Sequence, residues 1–257
     1  SPDWRNWICF VADDEDNNQH MIQADAIAKG IDTLQNNYNI DKIYFDAFIQ
    51  ESTPGGQRYP TVKEAINNRV LKGALVVNYT GHGGEVGWAH ERVLEVADVN
   101  NYSNIENLTV FVTATCEFSR FDDPARTSAG ELVLLNPNGG GIGLFTTTRL
   151  VFSAPNFTLN KNFYKHLFPV FGQPIPTMGE VMRKTVNEGS NGVIANTRNF
   201  SLLGDPAQRL AYPVNSVVTT SVNGLPVGGS ADTLKALSLV TITGEIRDRN
   251  GVKMTGF

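Results

Sequence analysis

Residues 73–85 read Gly-Ala-Leu-Val-Val-Asn-Tyr-Thr-Gly-His-Gly-Gly-Glu, an apolar run that ends on an imidazole, His82, set among glycines. Near-continuous hydrophobicity of this kind suits a strand covered on both faces, as strands of a parallel sheet are. Similar runs occur at Trp7–Ala12, Lys42–Asp46, Thr109–Ala114 and Gly141–Thr146. Between them lie segments with a helical pattern, at about 19–37, 60–72 (opened by Pro60-Thr61), 127–136, 154–167 (Pro155 near its start) and 177–189. The alternation predicts βαβ units wound right-handed around a mostly parallel sheet, so the class is α/β.

From about Tyr212 the texture changes. Val217–Val222, Ser238–Thr243 and the turn Asn250-Gly251 read as strands and turns with no helical period between them. The expected division is a first domain over 1–212 and the start of an all-β, Ig-like domain over 213–257, which is too short for a complete sandwich.

The chain has 257 residues, 41% of them hydrophobic and 18% charged, enough to bury a full core. Its net charge of −5 comes without any basic run, which gives no support to a nucleic-acid or anionic-membrane surface. No apolar stretch approaches the roughly 18 residues of a membrane span, no signal peptide is present and the chain starts at Ser1, so it reads as a piece of a longer protein. Two cysteines, Cys9 and Cys116, do not make a disulfide framework.

In open α/β sheets, ligands gather beyond the carboxyl ends of the strands. His82 sits at such an end. So does Cys116, which follows the run from Thr109 and lies 34 residues beyond His82, about one strand-to-strand unit. On neighbouring strands the two would emerge side by side. A free thiol titrates near ~8.5 and gains reactivity beside an imidazole. Backbone N–H groups after Cys116, up to the helix expected near Thr127, are candidates to help hold a thiolate. Gly81, Gly83 and Gly84 leave room for a substrate backbone, and the N–H of Gly83 is a candidate oxyanion donor, with the N–H of Cys116 as the second. The opening stretch thus reads as a general base mounted beside an oxyanion hole.

Several motifs together resemble the caspase-like clan of cysteine peptidases and, within it, the gingipain family: Asn78-Tyr-Thr-Gly-His82-Gly followed by Trp88, Thr115-Cys116, Gly141–Thr148 leading to Ser153-Ala-Pro155, and Leu203-Gly-Asp-Pro206. The likeness spans most of residues 4–212. It implies a three-layer caspase-like sandwich and a catalytic dyad of His82 and Cys116. It also implies an acid past the first strand, for which Asp14 is the counterpart and Asp13 a neighbour able to take the role; the family's Glu is here an Asp. Phe152 falls where the family sets an aromatic over the S1 pocket, although a core phenylalanine under a loop is the plainer reading. Arg149 could meet a substrate carboxylate or a solvent-facing acid. Where the arginine-specific enzymes hold a recognition acid, this chain has Asn17-Asn-Gln-His20, which argues against basic specificity.

The segments Asp232–Leu237 and Val240–Ile246 look instead like the sortase of the type IX secretion system of Bacteroidetes. That resemblance implies an outer-membrane-associated enzyme of the bacterial cell surface. Its partners would be the C-terminal signal domains of secreted proteins, an anionic lipopolysaccharide acceptor and other components of the secretion system. A plain gingipain-like endopeptidase and a catalytically idle signal-binding module are the alternatives.

No cofactor is required by this chemistry. The cluster Asp13-Asp-Glu-Asp16 suits a structural Ca²⁺ ion, and equally suits the dipole of the helix that follows. His20, His82, His90 and His166 show no paired ligand spacing, which argues against zinc. His90 reads as a solvated histidine and Cys9 as core packing. Asn138-Gly-Gly-Gly141 lacks the Gly-Lys-Ser/Thr of a phosphate loop and reads as a tight turn.

Overall fold

The computed structural model describes residues 2–35, 37–170, 173–189, 194–228 and 234–256. The chain divides into two compact units, one of residues 1–169 with 175–211, the other of 170–174 with 212–257.

The first unit is built on a six-stranded sheet of β1 (Trp7–Ala12), β2 (Asn39–Tyr44), β3 (Val76–Thr80), β4 (Thr109–Ala114), β5 (Gly141–Thr147) and β6 (Phe200–Gly204). The spatial order is β2-β1-β3-β4-β5-β6; all pairs are parallel except β5 with β6. Residues of β3 and β4 are buried throughout, as parallel strands covered on both faces must be.

Alternate side chains feed two cores. Cys9, Val11, Val77, Tyr79 and Phe111 point into one, with Val62, Ile66 and Val70 of helix α2 (Pro60–Lys72) and Val133 of α3 (Ala129–Leu135). On the opposite face, Phe10 packs against Tyr164, and Phe145 stacks on Phe163, both from α4 (Ser153–Leu167). A buried amide pair ties this layer to the sheet: Asn78 Nδ2 donates to Asn160 Oδ1 at 2.8 Å, and Asn160 Nδ2 returns a bond at 3.2 Å. Helices α1 (Gln19–Leu34) and α5 (Met178–Gly189) pack with α4. Helix–sheet–helix layering of this kind is the three-layer sandwich expected from the sequence.

Some boundaries differ from expectation. The second strand runs Asn39–Tyr44 rather than 42–46, because the chain turns into a single 3₁₀ turn at Phe45–Ala47. Helix α1 ends at Leu34, three residues early, with Gln35 outside helical geometry. Strand β6 was not foreseen: it is short, partly exposed and lies at the edge.

In the second unit, β7 (Asn215–Val222) pairs antiparallel with β8 (Ile242–Asp248), and Leu225–Pro226 adds a short third strand. The run expected to start a strand at Ser238 does not: Leu237 and Leu239 stand in solvent, and pairing begins at Ile242. Asp232 and Thr233, the first residues of the motif at 232–237, lie outside the described residues. Among the described residues no helix is long and apolar enough to cross a membrane.

Candidate active site

The strand order places a topological switch between β1 and β3, since α1 and α2 leave toward opposite faces of the sheet. Ligand sites form at such a switch, beyond the carboxyl ends. Three chemistry-bearing segments leave the sheet at this carboxyl edge, Asp13–Asp16 after β1, His82 after β3 and Cys116 after the next strand, β4. The adjacency of β3 and β4 is direct, with Thr80 beside Ala114 in the ladder.

The glycines are explained by close approach. A Cβ on Gly81 would lie 2.4 Å from Asp13 Cβ, and one on Gly83 would lie 2.6 Å from Thr115 Oγ1, next to the thiol-bearing residue. Gly83 and Gly84 also start a small hairpin with Gly87–Trp88. The Ala89 N–H donates to His82 O at 2.8 Å, so the next pair, Gly83 with Trp88, is the non-bonded kind and the Gly83 N–H faces away from the hairpin.

His82 is held at both ends. Its N–H donates to the buried Asp13 Oδ2 at 3.0 Å, and its carbonyl accepts from Tyr79 O–H at 2.6 Å. Tyr79 in turn stacks on the fully buried Trp88, with centroids 4.4 Å apart. Burial pushes the Asp13 carboxyl above its ordinary value, against the opposing N–H bonds from Glu15 and His82. The His82 ring contacts two carboxylates, Asp16 Oδ2 at 3.0 Å and Glu15 Oε2 at 3.6 Å from Nε2. It also stacks on His90 (centroids 5.3 Å) and meets the edge of His20 (5.2 Å). A groove of about 340 Å³ opens beside it, lined by His82, Gly83, Gly84, Trp88, His90 and Arg92 among others.

Asp14, the expected orienting acid, is placed elsewhere: its Oδ2 accepts from Tyr59 O–H at 2.6 Å. The carboxylate on the ring is Asp16, carried there by three consecutive left-handed residues, Asp16, Asn17 and Asn18, with φ of 56°, 56° and 63°. Asp and Asn are the non-glycine residues that best tolerate this region. That run was a readable signal, and so was the four-residue spacing of Asp16 and His20. Burial holds the His20 imidazole below its ordinary value, against the pull of the Asp13 and Asp16 carboxylates. The carboxylates of the acidic cluster go to different partners, Asp13 to backbone, Asp14 to Tyr59, Asp16 to His82 and Glu15 to His90.

Cys116 is half-buried, and its Sγ donates to Val151 O at 3.6 Å. Among the described residues no hydrogen bond joins it to the His82 ring. The next residue, Glu117, is left-handed at φ 49° and turns the chain away, its N–H reaching Arg149 O at 3.3 Å. Thr147 Oγ1 donates to the Thr115 carbonyl and braces the same turn. Helix α3 does not offer its first N–H groups to the thiol: Ala129 N–H donates to Glu85 O, and Ser128 with Glu131 forms a capping box. Cys9 is buried in β1, where burial pushes its thiol well above the ordinary value.

Phe152 is 75% exposed rather than core, at the head of α4, with its N–H donating to Asn196 Oδ1 at 2.8 Å. Leu150 beside it is also exposed. Arg149 spends its guanidinium on Asp122, Nη1 to Oδ1 at 2.9 Å, and on the Thr148 carbonyl. A solvent-facing acid, not an open carboxylate site, is therefore its partner.

A mostly parallel three-layer sandwich that delivers a thiol and an imidazole to the ends of adjacent strands defines a caspase-like class of cysteine-peptidase scaffold. The chain belongs to peptidase family C25, the gingipain family, whose sequence profile matches residues 1–211. Among solved structures it is similar to the complex of Porphyromonas gingivalis RgpB pro- and mature domains, at 18% identity and a TM-score of 0.64 over 85% of this chain and 52% of that one. It is also similar to the Arg-specific cysteine proteinase gingipain R (RgpB), at 19% and 0.63 over 85% and 51%. A further structure, described as a protease, matches at 13% and 0.65 over 98% and 61%. These likenesses establish the fold, and the chain spans roughly half to three fifths of those proteins. No curated protein matches it.

Proposed function

We propose that this chain is the catalytic part of a thiol transpeptidase of the PorU type, a sortase that removes C-terminal signal domains from proteins exported by the type IX system. In this reading it joins the new carboxyl end to an amine of anionic lipopolysaccharide at the outer-membrane surface. The observation that carries the thiol chemistry is the emergence of Cys116 and His82 from adjacent parallel strands, with Gly83 and Thr115 in contact between them. The transfer to an amine rests on the likeness of the C-terminal segment to that sortase.

With Nε2–H donated to Asp16, the His82 Nδ1 carries the lone pair and is the base. Asp16, rather than Asp14, is then the positioning acid. Nδ1 takes the Cys116 proton, the thiolate attacks the scissile carbonyl, and the N–H groups of Gly83 and Cys116 receive the oxyanion. Collapse expels the signal domain, whose new amine takes the proton from His82. The acceptor amine then gives a proton to His82 and attacks the thioester, which releases Cys116. Substrate must draw the ring and thiol together, as catalytic contacts often tighten only in the complex. The exposed Leu150 and Phe152 stand in the chain on either side of Val151, whose carbonyl accepts from the thiol, and Arg149, closed by Asp122, contributes to the turn more than to recognition.

The test is to supply a substrate bearing a C-terminal signal domain together with a small amine. The expected product carries the amine at its new terminus, and Cys116→Ala makes none. Cleavage by water alone, whatever the amine concentration, assigns a gingipain-like endopeptidase. Signal binding without cleavage or adduct assigns an idle binding module.

A further inference from the structure

Three of the four histidines that sequence spacing kept apart, His20, His82 and His90, are brought together by the fold. Asp16 Oδ2 lies 3.0 Å from His82 Nε2 and 3.3 Å from His20 Nε2, and one ligand atom from each of Asp16, His20 and His82 lies within 4.8 Å of the others. Ligand atoms bound to a tetrahedral Zn²⁺ at about 2.0–2.2 Å stand roughly 3.3–3.6 Å apart. Two edges of that tetrahedron are thus already present.

His20 gives the independent observation. Its side chain is 7% exposed, and among the described residues neither ring nitrogen has a well-aligned hydrogen-bond partner, the 3.3 Å approach of Nε2 to Asp16 Oδ2 being an ion-pair contact. A buried imidazole left unsatisfied costs stability unless something binds it. Its Nε2 faces the same carboxylate oxygen that holds His82. Glu15 Oε2, 3.6 Å from His82 Nε2, is placed to supply or orient a fourth position, and His90 Nδ1 holds Glu15 at 3.0 Å.

We infer that Asp16, His20 and His82 bind a borderline divalent transition ion, Zn²⁺ foremost, and that the bound ion switches the thiol site off. Two imidazoles and a carboxylate select such an ion over the oxygen-seeking Ca²⁺. The off-switch follows from the tautomer. To ligate through Nε2, His82 gives up that proton, and a neutral ring then carries its hydrogen on Nδ1. An Nδ1–H cannot accept the proton of Cys116. The switching part rests on the peptidase reading above, whereas the ion site itself does not.

The experiment uses the chelator-treated protein titrated with Co²⁺ and Zn²⁺. Co²⁺ is expected to give the intense visible bands of a tetrahedral site without a thiolate charge-transfer band, and Zn²⁺ to displace it. His20→Gln, with His20→Phe as the variant that keeps ring volume and stacking, should weaken Zn²⁺ by roughly 100-fold or more, because even partners behind a ligand are worth about 10–100-fold. Cys116→Ala should bind as wild type does. In the wild type, Zn²⁺ should block acylation of Cys116 by an electrophilic peptide and chelator should restore it, while in both His20 variants the same Zn²⁺ leaves acylation unchanged. Weak octahedral Co²⁺ bands, a thiolate band or equal Zn²⁺ affinity in folded His20 variants overturns the site. Tetrahedral bands with acylation indifferent to Zn²⁺ overturn the switch. A thiol that never acylates in metal-free protein sinks the peptidase reading, and with it the switch, while the Co²⁺ spectrum still decides the site.

Discussion

Asp13 holds His82 by its backbone, whereas Asp16 holds it by its ring. Replacing Asp13 with Ala would strand the N–H groups of His82 and Glu15 in a partly buried setting, a loss of about 1 kcal/mol or more. Thermal unfolding should show a Tm lowered by about 2–4 °C per kcal/mol for a chain of this size; an unchanged Tm would remove Asp13 from the account. Gly83 makes a second test. Its missing Cβ is what lets Thr115 approach, so Gly83→Ala should cut the rate of Cys116 acylation by roughly 100-fold, the cost of about 1 Å of misplacement. A rate within twofold of wild type would mean that the two strand ends need not touch. His82 and Cys116 could be read from sequence because each ends an apolar run. Asp16 and His20 left only local signals, the Asp-Asn-Asn run and a four-residue spacing, and their meeting with His82 and His90 could not be read, because it depends on a loop and a hairpin that carry no hydrophobic period.

The hairpin from His82 to Ala89 depends on one large side chain, Trp88, which is fully buried between Tyr79, Phe111 and Phe118. Trp88→Ala should cost about 3–5 kcal/mol, read as a fall in urea midpoint. The variant should also acylate more slowly at temperatures where it remains folded, because the hairpin that positions His82 loses its anchor. A midpoint close to wild type would show the hairpin to be held by its backbone alone. Elements with a clean pattern had legible ends: β1 and β4 match their apolar runs, and α2 starts at Pro60 and stops before Gly73, whose φ of 84° ends the helix. Strand β6 was hidden because an antiparallel edge strand, half-exposed, shows no continuous run. The run after Ser238 misled for the opposite reason, since its leucines are apolar but exposed.

On the scale of the whole molecule, the strand order explains why one carboxyl edge of the sheet collects an acidic loop, an imidazole and a thiol from segments far apart in sequence. The fold class followed from alternation of runs and helices, and the family from motifs at the strand ends. The geometry of ring, acid and metal-type ligands needed three-dimensional placement. The central claim is that Cys116 is a nucleophile served by His82. It is tested most directly by intact-mass analysis of the metal-free protein after exposure to a peptide ending in an electrophile. The account predicts a single adduct on Cys116, absent in Cys116→Ala and formed about 10²–10⁴-fold more slowly in His82→Ala, the usual worth of a general base. An adduct on the buried Cys9, or labelling of Cys116 at the same rate without His82, would contradict it.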